Sequence, residues 1–236
     1  MTPLKVTVVG QSCMSHYPER CILRVIVFSD GPEQESVSRD VTVTSNQLHQ
    51  LFKELSPQTA EGLATPEAPV TKFSTTYLRS WSDVPLDEKG RPLPQPRVHY
   101  GTSTFLVVFR DFAKLSEVVG KLVTYPKVEI DSITWRLTEE TEKKLASECR
   151  KQALRDALKK ADDFAEVVGR KVVPVEIEDD GQGQDGKRFH TDKIASSAPV
   201  DTSSALGDAA MDLTPQDIEF LSQVVVKFEA ETEKEN

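Results

Sequence analysis

The chain has 236 residues, 38% hydrophobic and 28% charged, the balance of a globular protein with a buried core. Its 29 basic against 38 acidic residues give a formal charge of −9. That argues against a sequence-independent grip on nucleic acid, which needs a basic surface to displace counterions, and against anionic membrane surfaces. No apolar run approaches the roughly 20 residues of a membrane span. The start MTPLKVTVVG lacks a signal peptide's charged start, long apolar core and small-residue cleavage site. Cys13, Cys21 and Cys149 are too few, and odd in number, for a disulfide framework. A reduced, cytoplasmic protein is expected.

In chain order, Lys5–Val9 reads as a short β-branched strand that Gly10 punctuates. Tyr17-Pro18-Glu19 connects it to a second strand, Cys21–Phe28, whose near-continuous apolar character predicts burial on both faces. From Pro32 to Leu55 two signals conflict. Val41-Thr-Val-Thr44 has strand propensity, yet Val37, Val41, Thr44, Leu48, Leu51, Phe52 and Leu55 keep the helical period over five turns. The longer signal decides for a helix, with Pro32 in its first turn. Residues 56–71 form a connector, Lys72 to about Trp81 a strand, and 83–97 a proline-rich loop. The strand His99–Arg110 then pairs with Lys72–Trp81 as a long-looped hairpin.

Asp111 is placed to cap a helix reaching about Thr124, with Phe112, Leu115, Val118, Val119 and Leu122 inward. Val128–Leu137 is a strand. The longest periodic segment follows, Glu139 to Gly169, roughly 45 Å of helix. Its inward stripe is Ala146, Cys149, Ala153, Ala157, Ala161, Phe164 and Val168, widened by Leu154, Leu158 and Ala165. Thr138 is the N-cap and Gly169 the C-cap. Glu139–Lys143, Glu140–Lys144 and Asp156–Lys160 have i,i+4 spacing. Strands Val172–Ile177 and Ser222–Glu229 close the chain, around a segment, 178–214, expected to be mobile. The fold expected is α+β: antiparallel or mixed sheets, a β-α-β-α unit ending in the long helix, and a C-terminal strand returning to the N-terminal strands. One domain spans 1–236, with 1–82 plus 172–236 as an outer part and 98–171 as the β-α-β-α part.

Several signatures in this order resemble one family. They are Val6-Thr-Val-Val-Gly10 followed by Pro18-Glu19, then Tyr100-Gly101 entering a strand that ends at Asp111. In the long helix the spacing Ala153, Ala157, Lys160, Ala161, Ala165, Gly169 fits A-x-x-x-A-x-x-K-A-x-x-x-A-x-x-x-G, and Pro215 leads into the last strand. The chain resembles the SIMPL-domain proteins, which include bacterial oxidative-stress-defence and periplasmic immunogenic proteins and eukaryotic kinase-associated signalling factors. The resemblance covers nearly the whole chain and implies an α+β protein that self-assembles and has no established catalytic activity. This chain departs from the family in lacking the export signal of bacterial relatives and in the length of its 83–97 insert.

Motifs that carry chemistry are sparse. Gly181 to Arg188 fits G-x-x-x-x-G-K, but Arg188 stands where Mg²⁺ coordination needs Ser or Thr, and no helix follows. Cys13-x-x-His16 with Cys21 offers three ligands where a closed zinc site needs four. Arg91-Pro92-Leu-Pro94-Gln-Pro96-Arg97 is a stiff docking candidate, although its prolines miss the P-x-x-P spacing. The paired acids Asp162-Asp163 and Glu178-Asp179-Asp180 face no partner acid or base in the sequence. No cofactor, metal or catalytic residue is assigned. The expected function is a non-enzymatic, self-associating interaction protein, a homo-oligomer with protein partners in signalling. The alternative is a small-ligand-binding module with a pocket between the sheet and the long helix.

Overall fold

The computed structural model describes residues 4–84, 96–179 and 213–230. They form an α+β fold with two antiparallel sheets. The chain divides into two compact units, one of Met1–Pro18, Leu137–Asp201 and Gln216–Asn236, the other of Glu19–Arg136 with Thr202–Pro215. The boundary differs from the division expected from sequence. The first two strands fall in different units, and the long helix is separated from the βαβ segment that precedes it.

In the first unit, β1 (Lys5–His16), β7 (Val172–Asp179) and β8 (Ile218–Ala230) form a sheet in the order β1-β8-β7. The C-terminal strand returns to the N-terminal one, with Lys5 opposite Glu229 and His16 opposite Ile218. The helix α3 (Glu139–Val168) packs on this sheet. Thr138 caps it, its Oγ1 accepting from Thr141 N–H, and Gly169 ends it in the left-handed region at φ 66°, where a Cβ would be strained. Cys149, Ala153, Ala157, Ala161 and Ala165 are its buried residues. Phe164 and Val168, expected inward, are 53% and 51% exposed. The buried set steps strictly by four, and at 3.6 residues per turn that row drifts away from the expected stripe.

The second unit contains β2 (Arg20–Gly31), α1 (Gln34–Glu54), β3 (Val70–Thr75), β4 (Arg79–Asp83), β5 (Val98–Phe109), α2 (Phe112–Leu122) and β6 (Val128–Arg136). Its sheet runs β3-β5-β2-β6, with β4 also on β5, the strand order of a split βαβ unit. The helical period of α1 prevails as expected, burying Val37, Val41, Thr44, Leu48 and Phe52; it starts at Gln34, so Pro32 precedes its Glu33 N-cap. Asp111 caps α2, its carboxylate accepting from Lys114 N–H at 2.9 Å. Both helices share one core with alternate residues of the central strands: Cys21, Leu23, Val25 and Val27 of β2, and Phe105, Val107 and Phe109 of β5.

Burial of β2 on both faces is therefore not observed. Its pattern alternates, leaving Arg24 and Phe28 exposed, because both helices cover the same side. Gly10 does not end β1 either; the strand runs on to His16. The expected strand 72–81 is two strands, interrupted where the Thr76 hydroxyl accepts from Thr104 N–H and its own N–H donates to Thr104 C=O. Of the 178–214 segment, Glu178 and Asp179 belong to β7; 180–212, with the G-x-x-x-x-G-K segment, lie outside the described residues.

Candidate functional site

Two places concentrate unusual side-chain arrangements, one in each unit. In the first unit it is the seam between α3 and β1. Alanine every fourth residue removes bulk from one helix face, and Ala153, Ala157 and Ala161 are fully buried. Opposite them stands Gly10. A methyl group there would lie 2.0 Å from the Ala153 carbonyl oxygen, 2.7 Å from the Ala157 Cβ and 2.8 Å from the Ala157 nitrogen. Glycine is required for close approach, not for a turn. Val8, Val224, Val226 and Phe228 complete this core. Ala157→Leu or Ala161→Leu is expected to overpack it and lower stability by about 1–3 kcal/mol; thermal melting of each variant checks this. An unchanged melting temperature would mean the ladder does not bear on the sheet.

The remaining residues of the seam are polar. Lys160 donates from Nζ to Val9 C=O at 3.1 Å and pairs with Asp156 at 2.7 Å, while Asp156 accepts from Gln11 N–H at 2.9 Å. Lys160 and the Gln11 amide hold the Asp156 carboxyl below its usual range. Cys149 is buried, its Sγ 3.4 Å from Phe220 C=O and 3.5 Å from Ser12 Oγ.

The chain enters the second unit after Pro18, which is buried. There Gly101 repeats the logic of Gly10 against another helix, since a methyl group would meet Val37 at 3.1 Å and Val41 at 3.2 Å. Its neighbour Tyr100 lies on the opposite face of the sheet, stacked on Trp81 at 5.4 Å and 17° and on Phe28 at 6.2 Å and 30°. The Arg79 guanidinium sits 5.8 Å from the Trp81 ring centre. Register places these aromatics on three adjacent strands, with Trp81 on β4 opposite Tyr100, Asp30 opposite it on β2, and Phe28 diagonal to it, opposite Thr102. Phe28, Trp81 and Leu106 are exposed by 37%, 40% and 41%.

Residues 6–228 match the profile of the SIMPL family, described as a protein of unknown function (DUF541). The chain belongs to the SIMPL family. No curated protein matches it. Among the motif positions that resemblance singled out, this SIMPL chain uses Gly10, Gly101, Ala153, Ala157 and Ala161 for helix–sheet approach, Gly169 as a cap, and Lys160 at the edge of β1, while Ala165 lines the end of α3. Pro215 is half-buried ahead of β8.

The sequence-predicted docking segment is divided. Arg91, Pro92 and Pro94 lie outside the described residues, while Pro96 and Arg97 are exposed ahead of β5. Asp162 and Asp163 are exposed, and Glu178 pairs with Lys227 at 2.8 Å. Among the described residues no three His, Cys, Asp or Glu side chains are grouped to hold a metal ion. At Gly10 the Ala153 and Ala157 atoms leave no room for a ligand between the sheet and the long helix. An open depression of about 490 Å³ lies instead at the C-terminal end of α3, lined by Asp162, Glu166, Arg170, Lys171 and Val172 among others. No helix among the described residues is long and apolar enough to cross a membrane.

The aromatic row was missed by sequence reasoning. Its signal is period-two: Phe28, Tyr100 and Trp81 become co-facial only when three strands are aligned in register. The cysteines give a direct check on burial. Cys13 is exposed, whereas Cys21 and Cys149 are buried, and desolvation pushes the Cys21 thiol up to about 12. The thiolate is the reacting species, so a thiol reagent at neutral pH should label Cys13 of the native chain and reach Cys21 and Cys149 only on unfolding. Mass spectrometry of labelled peptides reads the result; rapid native labelling of Cys21 would contradict the packing of β2.

Proposed function

We propose that this SIMPL-family chain is a non-enzymatic, self-associating interaction protein, using the open face of the five-stranded sheet as its contact surface. It acts in the cytoplasm, in stress response or as an adaptor in kinase signalling. The aromatic row Phe28–Tyr100–Trp81 carries this reading. Large aromatic side chains left on a surface are enriched at interface centres, where their burial dominates binding energy. Here they are contiguous. Both helices of the unit cover the other face. The cellular role follows the family resemblance rather than any feature of the surface.

Light scattering over a concentration series tests the association. The intact chain should assemble, and a Phe28→Ser/Trp81→Ser variant should shift toward monomer with its melting temperature little changed. A strictly monomeric intact chain at tens of micromolar would sink the reading. The ligand-binding alternative would be served by the depression beside Arg170 and Lys171. A thermal-shift screen of metabolites and nucleotides at fixed protein concentration tests it, since self-association is then constant and only a compound that binds raises the melting temperature further.

A further inference from the structure

In an antiparallel ladder the backbone groups of successive residues point alternately toward and away from the partner strand. The Ala230 N–H bonds to Leu4 C=O, and Val6, Val8 and Gly10 stand opposite Phe228, Val226 and Val224. The even residues of β1 thus face β8. Thr7, Val9, Gln11 and Cys13 turn their N–H and C=O groups to the outer edge, where no strand among the described residues pairs with β1. Such a row is a template for a further strand unless something blocks it.

The other edge of this sheet is blocked by its own sequence. Pro174, which has no N–H, falls in the outward row of β7, the register slips between Pro174 and Glu176, and Glu176, Glu178 and Asp179 add like charge. β1 has none of these devices. Its register is unbroken from Lys5 to His16, and it contains no proline and no acid. Instead α3 reaches over the edge. Asp156 takes the Gln11 N–H and Lys160 the Val9 C=O, a donor and an acceptor that a docking strand would use in succession. The two side chains also hold each other at 2.7 Å. A helix-surface ion pair needs neither backbone contact to form.

We propose that the Asp156–Lys160 pair is a clasp on the β1 edge, and that opening it turns this edge into a pairing site for β1 of a second copy of this chain. A second copy fits because two-fold antiparallel pairing presents the same row from both sides. Thr7, Val9, Gln11 and Cys13 then meet without like charges. The clasp concerns the three-stranded sheet alone and does not rest on the association proposed for the five-stranded one.

The test compares the full chain with its Asp156→Ala/Lys160→Ala variant by light scattering and by hydrogen exchange of the β1 amides at rising concentration. In dilute solution the Gln11 amide of the variant should exchange roughly tenfold faster, the loss of one charge-assisted bond. With concentration, association beyond that of the wild type should appear, and the Thr7, Val9, Gln11 and Cys13 amides should become protected while Val8 and Gly10 stay as they were. Lys160→Arg, which keeps a donor, should behave as wild type. A folded variant that matches wild-type assembly at every concentration, with outward amides indifferent to concentration, would overturn the proposal. Should the double variant fail to fold, Asp156→Ala alone frees the Gln11 N–H and removes the carboxylate that holds Lys160, and it carries the same association and protection readouts, with the same overturning result.

Discussion

Gly10→Ala is expected to lower stability by about 3 kcal/mol or more, at or above the top of the usual range for an overpacked core. The added methyl would lie 2.0 Å from a helix carbonyl oxygen and 2.8 Å from a helix nitrogen. Neither atom can rotate away, as a side-chain terminus could. Relief requires α3 to lift from the sheet as a rigid body, and that movement would loosen Ala153, Ala157 and Ala161 together. Gly169 supplies the internal comparison. It has φ 66° and nothing within 4 Å of a built Cβ, so Gly169→Ala should cost only the left-handed strain, about 1–2 kcal/mol. Urea unfolding of both variants measures the difference, provided the slope stays native. Equal costs would mean that the helix does not rest on Gly10.

How much of this was legible in sequence depended on the range of each signal. Local signals were readable. Five turns of period in α1 outweighed the β-branched Val41–Thr44 run, and the caps Asp111, Thr138 and Gly169 stand where expected. The alanine spacing of α3 announces a close approach, but not to what; its partner Gly10 lies more than 140 residues earlier and by itself reads as the end of a strand. Lys160 was legible as an ion-pair partner of Asp156, while their hold on the edge of β1 depends on which way the strand turns its odd residues. Strand pairing was the weakest inference. β1 and β2 are consecutive yet belong to different sheets, since nothing in Tyr17-Pro18-Glu19 distinguishes a hairpin turn from a passage between units. The same gap hid the aromatic row, whose members are separated by up to 72 residues and share a face only through β5.

That one-faced sheet makes a second large effect predictable. Phe105→Ala should destabilise the second unit by about 3–5 kcal/mol, the cost of transferring a phenyl group plus the cavity it leaves. Phe105 is fully buried and packs against Phe52 at 5.7 Å, opposite Val25 on β2 and Thr75 on β3. The site has little means to collapse, because it is walled by strands on both sides and α1 above. Leu106, the next residue along β5, is 41% exposed on the opposite face. Having less area to lose, Leu106→Ala should cost no more than about 1 kcal/mol. The pair is decisive in chemical denaturation because side-chain direction alone separates the two positions. A Leu106→Ala cost approaching that of Phe105→Ala would place a cover over this part of the open face, which would then belong to a core instead of a contact surface.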